Sequence, residues 1–125
     1  MEDGQMIEIL ENKGRGFSSL YERAGIRIAY VTKSDSYGEL SVLKRHTESD
    51  EVFILLSGEA ALYSSENLKT IEKIKLERGK LYNITKNTWH HLEISDDAEL
   101  IAVENSSTSK ENTDSFKIDI SEAFK

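Results

Sequence analysis

The chain has 125 residues, enough for one domain with a real core, and 16 basic against 23 acidic side chains give a formal charge of −7. It has no basic stripe, which argues against a nucleic-acid partner, and no run near the roughly 18 apolar residues of a membrane span. The absence of cysteine excludes disulfides, zinc–thiolate sites and thiol nucleophiles. The start, Met1-Glu2-Asp3-Gly4-Gln5, lacks the basic and apolar regions of a signal peptide. Together with the missing cysteines this points to a cytoplasmic protein.

In chain order, Ile7 to Leu10 is apolar enough for a strand or one helical turn. Ile26 to Val31 reads as a strand. Glu39 to His46 follows, with Leu40, Val42, Lys44 and His46 on one face. Glu51 to Leu56 is a β-branched and aromatic run ending at the Ser57-Gly58 turn. Ala60 to Tyr63, Thr70 to Leu76, Lys80 to Ile84, Trp89 to Ile94 and Glu99 to Val103 complete the strands. Ser106 to Thr113 is polar and reads as surface coil, after which Phe116, Ile118, Ile120 and Phe124 suit an extended arm or a short helix.

Strands recurring about every 8–12 residues with turn signals between them predict an all-β antiparallel sandwich or barrel. One domain over 1–125 is expected, with its core barrel at about 22–104 and both termini packed on it as extensions. In strand phase, Glu51 shares its face with Phe53 and Leu55, and His90 shares its face with Leu92 and Ile94. His91 falls on the other face with Trp89. An ionisable group on an apolar face needs a partner. Lys44, His46, Glu51 and His90 are candidates to partner one another inside the barrel. Arg27 and Arg45 are expected in solvent, and Trp89 in packing.

The spacing of these residues carries a family resemblance. Gly38, Lys44, His46, Glu51 and Gly58 match the pattern Gly, five residues, His-x-His, a short spacer, Glu, six residues, Gly, with Lys44 in place of the first histidine. Gly79 and His90 match a second pattern at its spacing, with Thr85, Asn87 and Ile94 replacing its proline, glycine and asparagine. Asn87 suits the left-handed conformation a turn requires there. Over 38–94 the chain therefore resembles the cupin superfamily. The resemblance implies a double-stranded antiparallel β-barrel of the jelly-roll type and a homodimer, for which Phe116 to Phe124 is a candidate arm.

His46, Glu51 and His90 then form a candidate site for a divalent transition metal. Fe, Mn, Ni, Zn and Cu all suit two imidazoles and a carboxylate. A metal-free pocket, in which these groups bond one another and Lys44, stays open. Lys44 either pairs with Glu51 in the metal's place, binds a substrate anion, acts as a base, or snorkels out of the barrel mouth. Catalytic candidates are Lys44, His46 and His90; substrate-binding candidates are Lys44, Tyr30 and Tyr82. The expected ligand is a small polar metabolite, a sugar derivative or a carboxylic acid. Isomerisation or metal-dependent catalysis is one functional class, a non-catalytic sensor or binding module a second, and a degenerate structural cupin a third.

Overall fold

A computed structural model describes residues 6–119. Among them, the strands are β1 (Phe17–Arg23), β2 (Ile26–Val31), β3 (Val42–His46), β4 (Glu51–Ser57), β5 (Ala60–Ser65), β6 (Glu72–Lys75), β7 (Leu81–Ile84), β8 (Trp89–Ile94), β9 (Glu99–Asn105) and β10 (Thr113–Lys117). They form two antiparallel five-stranded sheets, ordered β1-β2-β9-β4-β7 and β10-β3-β8-β5-β6. From β3 to β4, β4 to β5 and β6 through β10 the chain changes sheet at each connection. This is the jelly-roll winding that the cupin resemblance implies, and it realises the antiparallel barrel that the strand spacing predicts.

Period-2 alternation decides which side chains meet between the sheets. Ala29 and Val31 of β2, Phe53 and Leu55 of β4, and Leu100 and Ala102 of β9 point inward from the first sheet. Leu62 of β5 with Leu92 and Ile94 of β8 answer them from the second. Each such buried side chain contributes roughly 1.5–3 kcal/mol. The same phase places Glu51, His90 and Glu104 inside, at one end of these strands. One end of the barrel is therefore an apolar plug, and the other carries the ionisable groups.

At Gly58 the β4–β5 turn presses against Ala98: an added Cβ would lie 2.5 Å from the Ala98 Cα, and φ is +77°. Only glycine fits this approach. Asn87 takes the left-handed conformation expected of it, with φ 69°.

Three segments differ from the sequence-based expectation. β1 lies largely outside the expected 22–104 core. A bulge between Ser19 and Tyr21 interrupts its pairing with β2, so its sequence does not alternate. Ile7 to Leu10 forms neither strand nor helical turn; Ile7 and Ile9 are exposed, and Glu8 is tied to Arg23 by two bonds of 2.5 and 2.8 Å. The polar 106–113 segment is ordered rather than plain coil. Ser109 caps a single 3-10 turn at Lys110–Asn112, and Thr113 opens β10. β10 pairs with β3 from Thr113↔His46 to Lys117↔Val42. The C-terminal arm is thus extended as far as it is described; Ile120 and Phe124 lie outside the described residues.

The outer face of the second sheet holds a separate apolar cluster of Leu40, Leu43, Tyr63 and Trp89, covered by Leu68, Ile71 and Ile118. Trp89 packs there, under the Arg45 guanidinium at 4.6 Å. Leu43 is wholly inaccessible although it points away from the barrel axis. Leu43→Ala is expected to cost about 2–5 kcal/mol, as in a true core, measured by urea unfolding. A cost as small as that of an exposed leucine would show that this cluster does not pack in solution.

Candidate metal centre

His46 ends β3, Glu51 opens β4 and His90 lies near the start of β8. Backbone and side-chain bonds lock these strand ends together. Asn87 N–H donates to the His46 carbonyl at 2.7 Å. Asp50, just before Glu51, accepts from Lys86 N–H at 2.8 Å and from the Asn83 amide at 3.1 Å. The β3–β4 and β7–β8 turns are therefore joined, and the two histidines converge. His46 Nε2 lies 3.2 Å and His90 Nε2 3.3 Å from the same oxygen, Glu51 Oε1. Glu51 and His90 are buried, and His46 is nearly so.

The outer ring nitrogens fix the tautomers. His90 Nδ1 lies 3.0 Å from the Thr88 carbonyl, which can only accept, so Nδ1 carries a proton. His46 Nδ1 lies 2.9 Å from Thr113 Oγ1, whose own proton is committed to the Ser109 carbonyl at 2.6 Å. Thr113 must therefore accept from His46 Nδ1–H. Both Nε2 atoms are left with lone pairs aimed at a carboxylate oxygen. Three acceptors facing one another are satisfied only by a proton on an imidazole or by a cation between them.

The donor set fits a metal ion. Ligand atoms about 2.1 Å from one ion, at tetrahedral or octahedral angles, stand roughly 3.0–3.4 Å apart. The two nitrogen–oxygen separations fall in that interval, and all three donor atoms lie within 4.8 Å of one another.

Sequence reasoning missed a fourth ionisable group, Glu104. It stands directly across from Glu51 in the β4–β9 ladder and is 8% exposed. Burial, the Glu51 charge and a hydrogen bond to Glu51 push its carboxyl up to about 7, against the pull of Arg27. Burial also raises Glu51, but the hydrogen bonds of His46 and His90 outweigh it and hold Glu51 down to about 2. Of the two facing carboxyls, Glu104 therefore keeps its proton to the higher pH. The signal was legible: Glu104 follows Leu100 and Ala102 in strand phase, one residue beyond the strand end expected at Val103. Arg27 is not a solvated arginine as expected. It bonds Glu104 Oε2 at 2.7 Å, the Thr108 carbonyl at 3.0 Å and the Ser106 carbonyl at 2.9 Å, so it holds the 106–113 segment against the site.

Lys44 is opposite His90 in the β3–β8 pairing and lines the cavity above the histidines. It does not make the internal ion pair with Glu51. Glu51 Oε1 is approached by both imidazoles, and the exposed Lys44 side chain keeps its hydration at the mouth. His91 falls in the opposite phase and bonds the Gly38 carbonyl through Nε2 at 2.7 Å.

The cavity holds about 560 Å3, within the usual size of small-ligand sites. Tyr30 and Tyr82, expected to contact substrate, do not line it. Tyr30 lies in the outward phase of β2 and donates to Glu99 Oε1 at 2.6 Å. Tyr82 packs on the core and accepts from Glu77 N–H at 2.9 Å. Tyr37, from the 3-10 turn Asp35–Tyr37, lines the cavity instead. Burial and then the charges of Glu51 and Glu104 raise its pKa. No sequence pattern marks it, because a loop has no phase.

No protein-family model matches the chain, and no curated protein sequence matches it. Solved structures are similar to it. A cupin-2 domain containing protein from Shewanella frigidimarina is 22% identical, with 76% of this chain and 84% of that one covered and a TM-score of 0.56. The WlaRB TDP-quinovose 3,4-ketoisomerase from Campylobacter jejuni is 24% identical, covering 70% of this chain and 67% of its own, with a TM-score of 0.58. An Fe(II)-HppE with an alternative substrate is 15% identical, covering 82% of this chain and 61% of its own, with a TM-score of 0.54. The chain has the cupin fold.

The carboxyl pair makes metal-free stability depend on pH. Glu51 is lowered on folding, so its contribution is complete above about 4.5 and lost as pH falls toward 2. Glu104 is raised, so its contribution is complete below about 4.5 and lost as pH rises through 7. His46, raised by its bond to Glu51, acts in the same sense as Glu104 at higher pH. Chelator-treated protein should therefore lose on the order of 2–3 kcal/mol between pH 5 and 8, and Glu104→Gln should flatten most of that fall. A melting temperature that holds level or rises over this range in the parent protein would contradict the assignment.

Proposed function

We propose that this protein binds a divalent transition metal through His46, Glu51 and His90 and uses it on a small polar metabolite admitted to the cavity. The observation that carries this reading is the convergence of three lone pairs, two of them fixed by Nδ1–H bonds to Thr88 and Thr113. Fe, Mn, Ni, Zn and Cu all suit that donor set. A metal held by these three residues would supply Lewis-acid polarisation or oxygen-dependent oxidation. Glu51 neutralises part of the charge. Glu104 faces Glu51 from the neighbouring strand β9. Tyr37 presents a hydroxyl to the ligand, and Phe17, Val42, Phe53 and Leu92 form an apolar wall. The similarity to an iron-bearing HppE structure and to a ketoisomerase supports a small-molecule site on this fold.

A second reading rests on the 3.2 Å approach of His46 Nε2 to Glu51 Oε1, which raises the pKa of the imidazole. There the gap between the imidazoles and Glu51 holds a proton, and His46 or His90 acts as general acid or base without metal, as an isomerase would require.

Protein prepared without chelator or affinity tag should carry about one equivalent of a transition metal by mass spectrometry. Chelator-treated protein should gain several degrees of melting temperature on adding Fe(II), Mn(II), Ni(II), Zn(II) or Cu(II). His90→Ala should lower metal affinity by at least about 100-fold while retaining the β-rich circular dichroism spectrum. Failure of every metal to bind or stabilise the parent protein would leave the proton reading in its place.

The homodimer belongs to the same proposal. Exposed Met6, Ile7, Ile9 and Leu10 offer apolar surface for it. Light scattering should give the mass of two 14.2 kDa chains; the mass of one chain would refute the dimer.

A further inference from the structure

The charge of the cavity differs from that of the whole molecule. The chain carries −7 overall, yet two lysines line the cavity, Lys44 from β3 and Lys110 from the 3-10 turn before β10. Both are exposed, and neither has an ion pair or hydrogen bond from its ammonium among the described residues. Glu51 and Glu104 are the only carboxylates lining the cavity among those residues, and neither neutralises the lysines. Glu51 is engaged by the imidazoles, and Glu104 is paired with Arg27 at 2.7 Å. The other acidic groups of this region do not line the cavity. Asp114 pairs with Arg45 at 2.8 Å, Glu111 accepts from the Ser109 hydroxyl at 2.9 Å, and Glu48 accepts from the Asn112 amide at 2.8 Å.

The walls around the lysines are polar. Ser115 is the β10 partner of Lys44, and Thr113 is the partner of His46. Two hydroxyls at the cavity lack a protein partner. Tyr37 makes no hydrogen bond through its hydroxyl among the described residues. Thr108 is 8% exposed, and its Oγ1 is buried and unsatisfied. A buried hydroxyl without a partner costs free energy unless something else at the site bonds it.

We propose that the mouth of this cavity is an anion subsite, in which Lys44 and Lys110 hold the oxyanion headgroup of an organic ligand. The headgroup is a carboxylate or a phosphate, and the body of the ligand lies against Phe53 and Leu92 toward His46, Glu51 and His90. The proposal rests on the reading of the cavity as a ligand site and names the class of ligand it takes. Lys44 thereby acquires the anion-binding role, and Lys110 joins it from a segment with no motif of its own. Arg27 acts as a positioning residue, since its bonds to the Ser106 and Thr108 carbonyls hold the segment that carries Lys110.

The test uses matched pairs of probes on the full chain, with and without added Mn(II): benzoate against benzamide, and glycerol phosphate against glycerol. Calorimetric titration should show binding of one or both anions and none of their neutral counterparts. The pair that responds tells carboxylate from phosphate. Binding should weaken with added salt, because the lysines are exposed. Lys44→Gln with Lys110→Gln should weaken it by at least about tenfold, the size of a lost charge-assisted hydrogen bond. The same double variant should keep its Mn(II) affinity or tighten it, since two cations near the site are gone. Benzamide or glycerol binding as well as its anionic partner would overturn the proposal, as would anion binding unchanged in the double variant or absent at millimolar concentration. Anion binding by wild-type protein that takes up no metal would uphold the subsite and remove the metal reading.

Discussion

The burial of the Glu51 carboxylate is the constraint on which the rest of the site depends. A carboxylate inside an apolar barrel is tolerated only if its charge is met by donors or by a cation. Here two imidazoles approach one oxygen, and Glu104 stands across from Glu51 on the facing strand. Each of these groups is held in turn: His90 by the Thr88 carbonyl, His46 by Thr113, and Glu104 by Arg27. The carboxylate therefore organises four strands and two turns around one point.

The barrel makes that arrangement possible by separating its two ends. Leu55, Leu62, Ile94 and Leu100 close one end without polar groups. At the other end the same strands, in the same phase, supply Glu51, His90 and Glu104. An antiparallel ladder places the first inward residue of β4 against the last inward residue of β9, so Glu51 and Glu104 meet although 53 positions separate them (104 − 51). The low polarity of the plug strengthens every electrostatic interaction at the open end. The 106–113 segment then walls the cavity, fixed by Arg27 and by the Ser109 capping box.

Much of this was legible in the chain itself. Strand phase and motif spacing placed His46, Glu51 and His90 on inward faces, and the structure brings their donor atoms together. Asn87 was assigned a left-handed turn on chemical grounds and adopts one. Other features were hidden for identifiable reasons. The bulge in β1 breaks the alternation by which a strand is recognised. β10 has the composition of a loop, Thr-Asp-Ser-Phe-Lys, and becomes a strand only because β3 offers it an edge. Tyr37 and Lys110 enter the cavity from turns, which have no periodicity to read. Lys44 was legible as cavity-facing but not as unpaired, because which groups reach Glu51 depends on how the strands pair.

By itself, then, the sequence determined the strand phases, the cupin spacing and the two imidazoles and carboxylate that face the barrel interior. These are local properties, set by a period of two residues and by turn chemistry. The tertiary structure alone decided that Glu104 faces Glu51, that Arg27 anchors the cavity wall, and that Lys44 and Lys110 line one cavity. Those outcomes depend on which residues the sheets place opposite one another and on which charges are satisfied first, and neither is a local property of the chain.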